Sequence, residues 1–157
     1  MRIAIDPGNV QSAIVAVPDD SFNPQLGFAA ILPNDDAREW LYNHTTSADE
    51  VVIEMVASYG MPVGAEVFDT VFWIGRFYES LRARGVGVHR MFRRDVKLHI
   101  CHVSRAKDAN IRQALIDRFG GVGVKKAPGW FYGFKADIWA AYALAVTYFE
   151  QQEAHHQ

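Results

Sequence analysis

Three carboxylates stand where apolar sequence makes a lone charge costly. Asp6 ends the opening run "MRIAIDPG", Glu54 interrupts "EVVIEM", and Asp137 opens "DIWAAYALAVTY", which is otherwise rich in Ala, Trp, Tyr, Leu and Val. A carboxylate buried alone either loses much hydration energy or takes up a proton, so each needs a cation or a partner. Oxygen ligands of this kind suit Mg2+ or Mn2+. A pair of such ions, roughly 3.5–4 Å apart, clamps the attacking and leaving oxygens of phosphodiester hydrolysis.

Each acid also has an ordinary explanation. A strand-end Asp before Pro-Gly can be a turn residue, a strand Glu can face solvent, and an Asp in a first helical turn favours the helix dipole. The three together argue for convergence if the strands carrying Asp6 and Glu54 are neighbours and the last helix packs across them.

The elements that must do this positioning are legible in the patterning. Strands are expected at 2–6, 12–17 and 26–32, separated by turns through Pro7-Gly8-Asn9 and "PDDSFNPQ", as in an antiparallel meander. A helix follows in "NDDAREWLYNH", with Asn34 as N-cap and Asp35 and Asp36 at its positive end. Residues 50–55 read as a strand buried on both faces. Val67, Val71, Ile74, Phe77, Tyr78 and Leu81 recur at helical spacing over 65–83, and Gly85 and Gly87 end that helix. A fifth strand is expected at 86–92. "RRDVKLHICHVSRA" reads as a basic connecting segment, 108–119 as a helix, "GGVGVKKAPGWFYGF" as a loop, and about 135–151 as the last helix. The order implies one α/β domain over 1–151, with a mixed five-stranded sheet, helices on both faces and a frayed tail at 152–157.

Charge is distributed unevenly. Residues 1–81 hold 3 Lys/Arg against 12 Asp/Glu, whereas 82–107 hold 8 against Asp95 alone, although the whole chain is at −2. A basic block in an otherwise acidic protein points to a polyanion partner. The apolar runs are too short to cross a bilayer, no basic-then-apolar leader is present, and a lone Cys101 fits a reducing compartment; a cytoplasmic protein without membrane contact is expected. His99, Cys101 and His102 have no second ligand pair at zinc-finger spacing, and "GGVGVKK" lacks the Gly-Lys-Ser/Thr ending of a P-loop.

Taken in order, "IAIDPG…SAIV", "VVIEMV", "VKLHICHVSRAKDANIRQALIDRF" and "KADIWAAYALAVTY" resemble the RuvC group of Holliday-junction resolvases, in particular its phage-encoded branch, within the RNase H-like superfamily. The resemblance covers most of the chain. It implies a homodimeric, metal-dependent endonuclease, bacterial or phage-borne, that cuts two symmetry-related strands of a four-way DNA junction and leaves 5′-phosphate ends.

The resemblance also implies roles for particular residues. Asp6, Glu54 and Asp137 fall on three of four acidic positions that hold two Mg2+ or Mn2+ ions. The fourth position is Ala140, three residues after Asp137 and so on the same helix face, but unable to bind metal. Its effect is expected to be an impaired second ion and slow cleavage or none, with binding retained, unless Asp108 or Asp69 completes the site. Lys97 matches a catalytic, DNA-contacting lysine, and Lys107 lies within one residue of another. Arg93, Arg94 and Arg105 extend the basic segment as further DNA-contacting candidates. Direct alignment puts Ala57 where the group stacks an aromatic on an unpaired base, and Tyr59 is the nearest substitute. The helix at 65–83 falls where the group dimerises. Two alternatives remain open: an RNase H-like nuclease on flap, branched or RNA-containing duplexes, and a non-catalytic junction binder, which Ala140 favours.

Overall fold

A computed structural model describes all 157 residues of the chain. Five strands form its central sheet: β1 (Arg2–Asp6), β2 (Gln11–Val17), β3 (Phe28–Pro33), β4 (Glu50–Met55) and β5 (Gly87–Phe92). Their spatial order is β3-β2-β1-β4-β5. The β1–β2 and β2–β3 pairs are antiparallel, and β1–β4 and β4–β5 are parallel. Five helices cover it: α1 (Asn34–His44), α2 (Ala65–Arg82), α3 (Arg93–Cys101), α4 (Asp108–Phe119) and α5 (Ile138–His155).

Period-two alternation divides the core into two layers. Ile3, Ile5, Ile14, Ala16, Val51 and Ile53 face α1 and α2, where Leu41, Ile74, Phe77 and Leu81 meet them. Ala4, Ala13, Val15, Val17 and Val52 face the opposite way, onto α5, with Val96 of α3 and Leu115 of α4 completing that layer. Helix α5 is buried on nearly all sides from Ile138 to Phe149. Its alanines at 141, 143 and 145 let its axis lie close to the sheet.

The mixed sheet and its helices on both faces are as the sequence implies, and several boundaries differ. The segment 93–101 is helix α3, not a connector. Its single buried apolar residue, Val96, and its many charges conceal the helical period. Asn34 lies inside the first turn of α1 and Pro33 is the N-cap. The Asn34 side chain is committed elsewhere: Ser12 Oγ donates to its Oδ1 at 2.6 Å, and its Nδ2 donates to the Gly8 carbonyl at 2.9 Å. These bonds pin the turn just past Asp6. Gly8 is required there, because a Cβ would lie 2.4 Å from the Gln11 carbonyl oxygen.

A 3-10 turn at Pro24–Leu26 delays β3 to residue 28. The Gly- and Lys-rich loop contains a short hairpin, β6 (Gly123–Val124) with β7 (Ala127–Pro128). Helix α5 begins at Ile138 rather than near 135 and continues to His155, through most of the segment expected to fray.

Candidate active site

Sheet register brings the first two acids together. Strands β1 and β4 run parallel with Ile5 beside Ile53, so the next pair along is Asp6 and Glu54. Asp6 shares the parity of Ala4, and Glu54 that of Val52, which places both on the α5 face.

Asp137 is the N-cap residue of α5, the helix laid across that face. Aromatic packing fixes its approach: Phe131 sits 4.7 Å from Trp139 and 5.2 Å from Tyr142, centroid to centroid. The Tyr142 hydroxyl donates to the Phe22 carbonyl at 2.7 Å and accepts from Trp130 Nε1 at 2.9 Å. Ala136, immediately before Asp137, has φ of 44°, a left-handed conformation that costs a non-glycine residue energy.

The electrostatics tie the three acids into one locality. Burial, then the charges of Glu54 and Asp137, push the Asp6 carboxyl up to about 8. Burial also raises Glu54, against the opposing pull of Arg93. Two further residues join the cluster: Arg93, expected only as a DNA contact, and Asp108, one of the two acids named as alternatives to position 140. Arg93 Nη1 lies 3.3 and 3.2 Å from the two Glu54 carboxylate oxygens, and its Nη2 lies 2.5 Å from Asp108 Oδ1. Burial works against the Arg93 charge, but Glu54 and Asp108 outweigh it and keep the guanidinium protonated.

Arg93 therefore bridges two carboxylates inside the site, a place the sequence did not assign to it. The signal was faint. Arg93 follows β5 directly and β5 lies beside β4, so the first residue of α3 must emerge near Glu54. Asp108 opens α4 and stands beside this cluster, whereas Asp69 is an exposed residue of α2 with no ion pair to it.

A small cavity of about 50 Å³ opens here, lined by Glu54, Arg93, Asp108, Asp137 and Ala140 among others. Ala140 thus faces the site, as its spacing from Asp137 implied. No three acidic, His or Cys side chains are grouped closely enough to enclose an ion as they stand. The chemistry of the donors nevertheless fits one: all are carboxylate oxygens, Arg93 pairs with Glu54 and Asp108 but not with Asp6 or Asp137, and burial disfavours the Asp6 anion.

Beside the carboxylates lies an open groove lined by Tyr59, Arg93, Arg94, Lys97 and Ser104. Four of the expected DNA-contacting residues therefore share one surface adjoining the acids. Tyr59 is 64% exposed and has φ of 50°, which presents its ring at the tip of the loop after β4. Lys107 is exposed, next to Asp108 at the start of α4. Arg105 lines a separate groove with Leu98, Cys101 and His102 and is not brought to the acids. Of the "HICH" residues, His99 pairs with Glu150 at 2.7 Å, and no metal-binding group forms around them.

By sequence, the chain matches no protein-family model and no curated protein. By structure, it is similar to RuvC of Thermus thermophilus, at 17% identity and a TM-score of 0.62, over 97% of this chain and 95% of that one. It is also similar to T. thermophilus RuvC in complex with a Holliday junction substrate, at 14% identity and a TM-score of 0.66, over 97% and 94% of the two chains. The fold is RuvC-like, of the RNase H-like type.

Proposed function

We propose that the chain is a metal-dependent, structure-specific endonuclease that resolves four-way DNA junctions. The observation that carries this reading is that Asp6 and Glu54 stand at the ends of neighbouring parallel strands on the face crossed by α5, whose N-cap is Asp137, beside a groove lined by Arg94, Lys97 and Tyr59. A chain of the same fold is described in complex with a Holliday junction substrate.

Asp6, Glu54 and Asp137 would hold Mg2+ or Mn2+. The chemistry such an ion supplies is activation of water and neutralisation of charge on the phosphodiester. The protein's own residues bind and orient. Lys97 and Arg94 meet the backbone phosphates, which places one phosphorus next to the carboxylates. Attack by a water oxygen on that phosphorus breaks the P–O3′ bond and leaves a 5′-phosphate and a 3′-hydroxyl. Tyr59, exposed in the loop after β4, would stack on a base at the branch point. Paired cleavage calls for a homodimer. Helix α2 offers the surface for it, because Phe68, Val71 and Phe72 form an exposed apolar stripe at i, i+3, i+4 spacing.

The test is cleavage of a synthetic four-way junction in Mg2+, run beside a linear duplex and a flap. Symmetric paired nicks in the junction alone are expected, with Asp6→Asn abolishing cleavage and retaining binding. Equal cutting of the flap would favour the broader RNase H-like nuclease. Tight binding with no cutting under any metal condition would favour a junction-binding protein without catalysis.

A further inference from the structure

We infer that the Arg93 guanidinium, a fixed cation paired with Glu54 and Asp108, supplies the positive charge that a second metal ion would otherwise bring, so that the site takes one Mg2+ or Mn2+ rather than two. The inference rests on the metal-dependent nuclease reading above and changes its ion count.

Three observations carry it. Arg93 bridges Glu54 and Asp108, from β4 and α4, with contacts of 3.2–3.3 Å to one and 2.5 Å to the other. Arg93 and Ala140 line the same small cavity with Glu54, Asp108 and Asp137. Arg93 also lines the open groove formed with Tyr59, Arg94, Lys97 and Ser104. One guanidinium therefore faces the carboxylates and the basic groove at once.

The substitution pattern is consistent chemically. An aspartate at position 140 would add a ligand and a negative charge, both of which favour a second divalent ion. Alanine withholds both, and Arg93 adds a permanent positive charge at the same cavity. Arg stays charged at any working pH and offers five N–H donors; Glu54 engages Nη1 and Asp108 engages Nη2, and Nε has no partner. Its remaining donors can reach a non-bridging phosphate oxygen and stabilise the charge that develops as water attacks and O3′ leaves. Asp108 then serves as a positioning residue that aims the guanidinium.

The experiment counts ions without DNA. Mn2+ is titrated into the protein and free Mn2+ is followed by electron paramagnetic resonance. One equivalent is expected for the unaltered chain and for Ala140→Asp, because the new carboxylate pairs with Arg93. Two equivalents are expected for the double variant Arg93→Gln/Ala140→Asp. Arg93→Gln alone should keep one ion and lose roughly 10²–10³-fold in junction cleavage, with partial recovery in Arg93→Lys. Circular dichroism establishes folding, and Ala140→Asp and Arg93→Lys keep the test decisive if Arg93→Gln does not fold. Two ions in the unaltered chain, or full cleavage by folded Arg93→Gln, would overturn the inference and leave the nuclease reading standing. No Mn2+ binding by any variant, with or without added junction, would remove both.

Discussion

At the scale of single residues, position relative to the carboxylates decides what a basic side chain can do. Lys97 is half-buried in the groove beside Arg93, whereas Arg105 lines a different groove. The two carry the same charge and sit eight positions apart. Lys97→Gln is therefore expected to weaken junction binding and to flatten the slope of log affinity against log salt by roughly one per lost phosphate contact. Arg105→Gln should change that slope much less. Fluorescence anisotropy across a salt series measures both, and equal slopes for the two variants would relocate the DNA surface.

At the scale of elements, the helices on the site's face are tied together by one carboxylate. Glu150 of α5 accepts from His99 of α3 at 2.7 Å, and it pairs with Arg118 of α4. Burial works against its ionised form, but Arg118 and then His99 outweigh burial and hold its carboxyl below the usual range. A carboxylate with a lowered folded-state pKa stabilises the fold fully above its unfolded value, about 4.3, and that contribution is lost as pH falls through the folded value. Glu150→Gln should therefore lower the melting temperature at neutral pH. It should also make melting less sensitive to acid below about pH 4 than in the unaltered chain. Parallel melting-temperature curves from pH 3 to 7 would show that Glu150 contributes no linkage. Because α3 carries Arg93 and Lys97 and α5 follows Asp137, loosening this tie should also reduce cleavage more than it reduces binding.

At the scale of the molecule, charge and apolar surface are segregated. The acidic first half contributes Asp6, Glu54 and the apolar stripe of α2; the basic segment contributes the groove. No helix is long and apolar enough to cross a membrane. Phe68 and Phe72 are 66% and 63% exposed, an area of aromatic surface that a second copy of the chain would cover in the proposed homodimer. Phe72→Glu should give a monomer by sedimentation velocity where the unaltered chain gives a dimer. It should also convert paired junction cleavage into independent single nicks. A monomer in both cases would place dimerisation, if the reaction needs it, on the DNA.

The sequence by itself determined the mixed sheet, its helices on both faces and the elements that carry Asp6, Glu54 and Asp137. The short apolar runs in "RIAID" and "EVVIEM" mark strands buried on both faces that carry Asp6 and Glu54 at their ends, and the continuous apolar run after Asp137 demands a buried helix. These are local patterns with short periods, so they survive in one dimension. It did not determine α3, because a helix with one buried apolar residue has almost no hydrophobic period to read. Nor did it reveal that Asn34 serves the turn after Asp6 instead of capping α1, since its partners lie 22 and 26 residues away. Only the tertiary structure decided which cation meets the carboxylates. Arg93 reaches Glu54 across 39 residues and Asp108 across 15, through the parallel pairing of β4 with β5, a contact that no local pattern encodes.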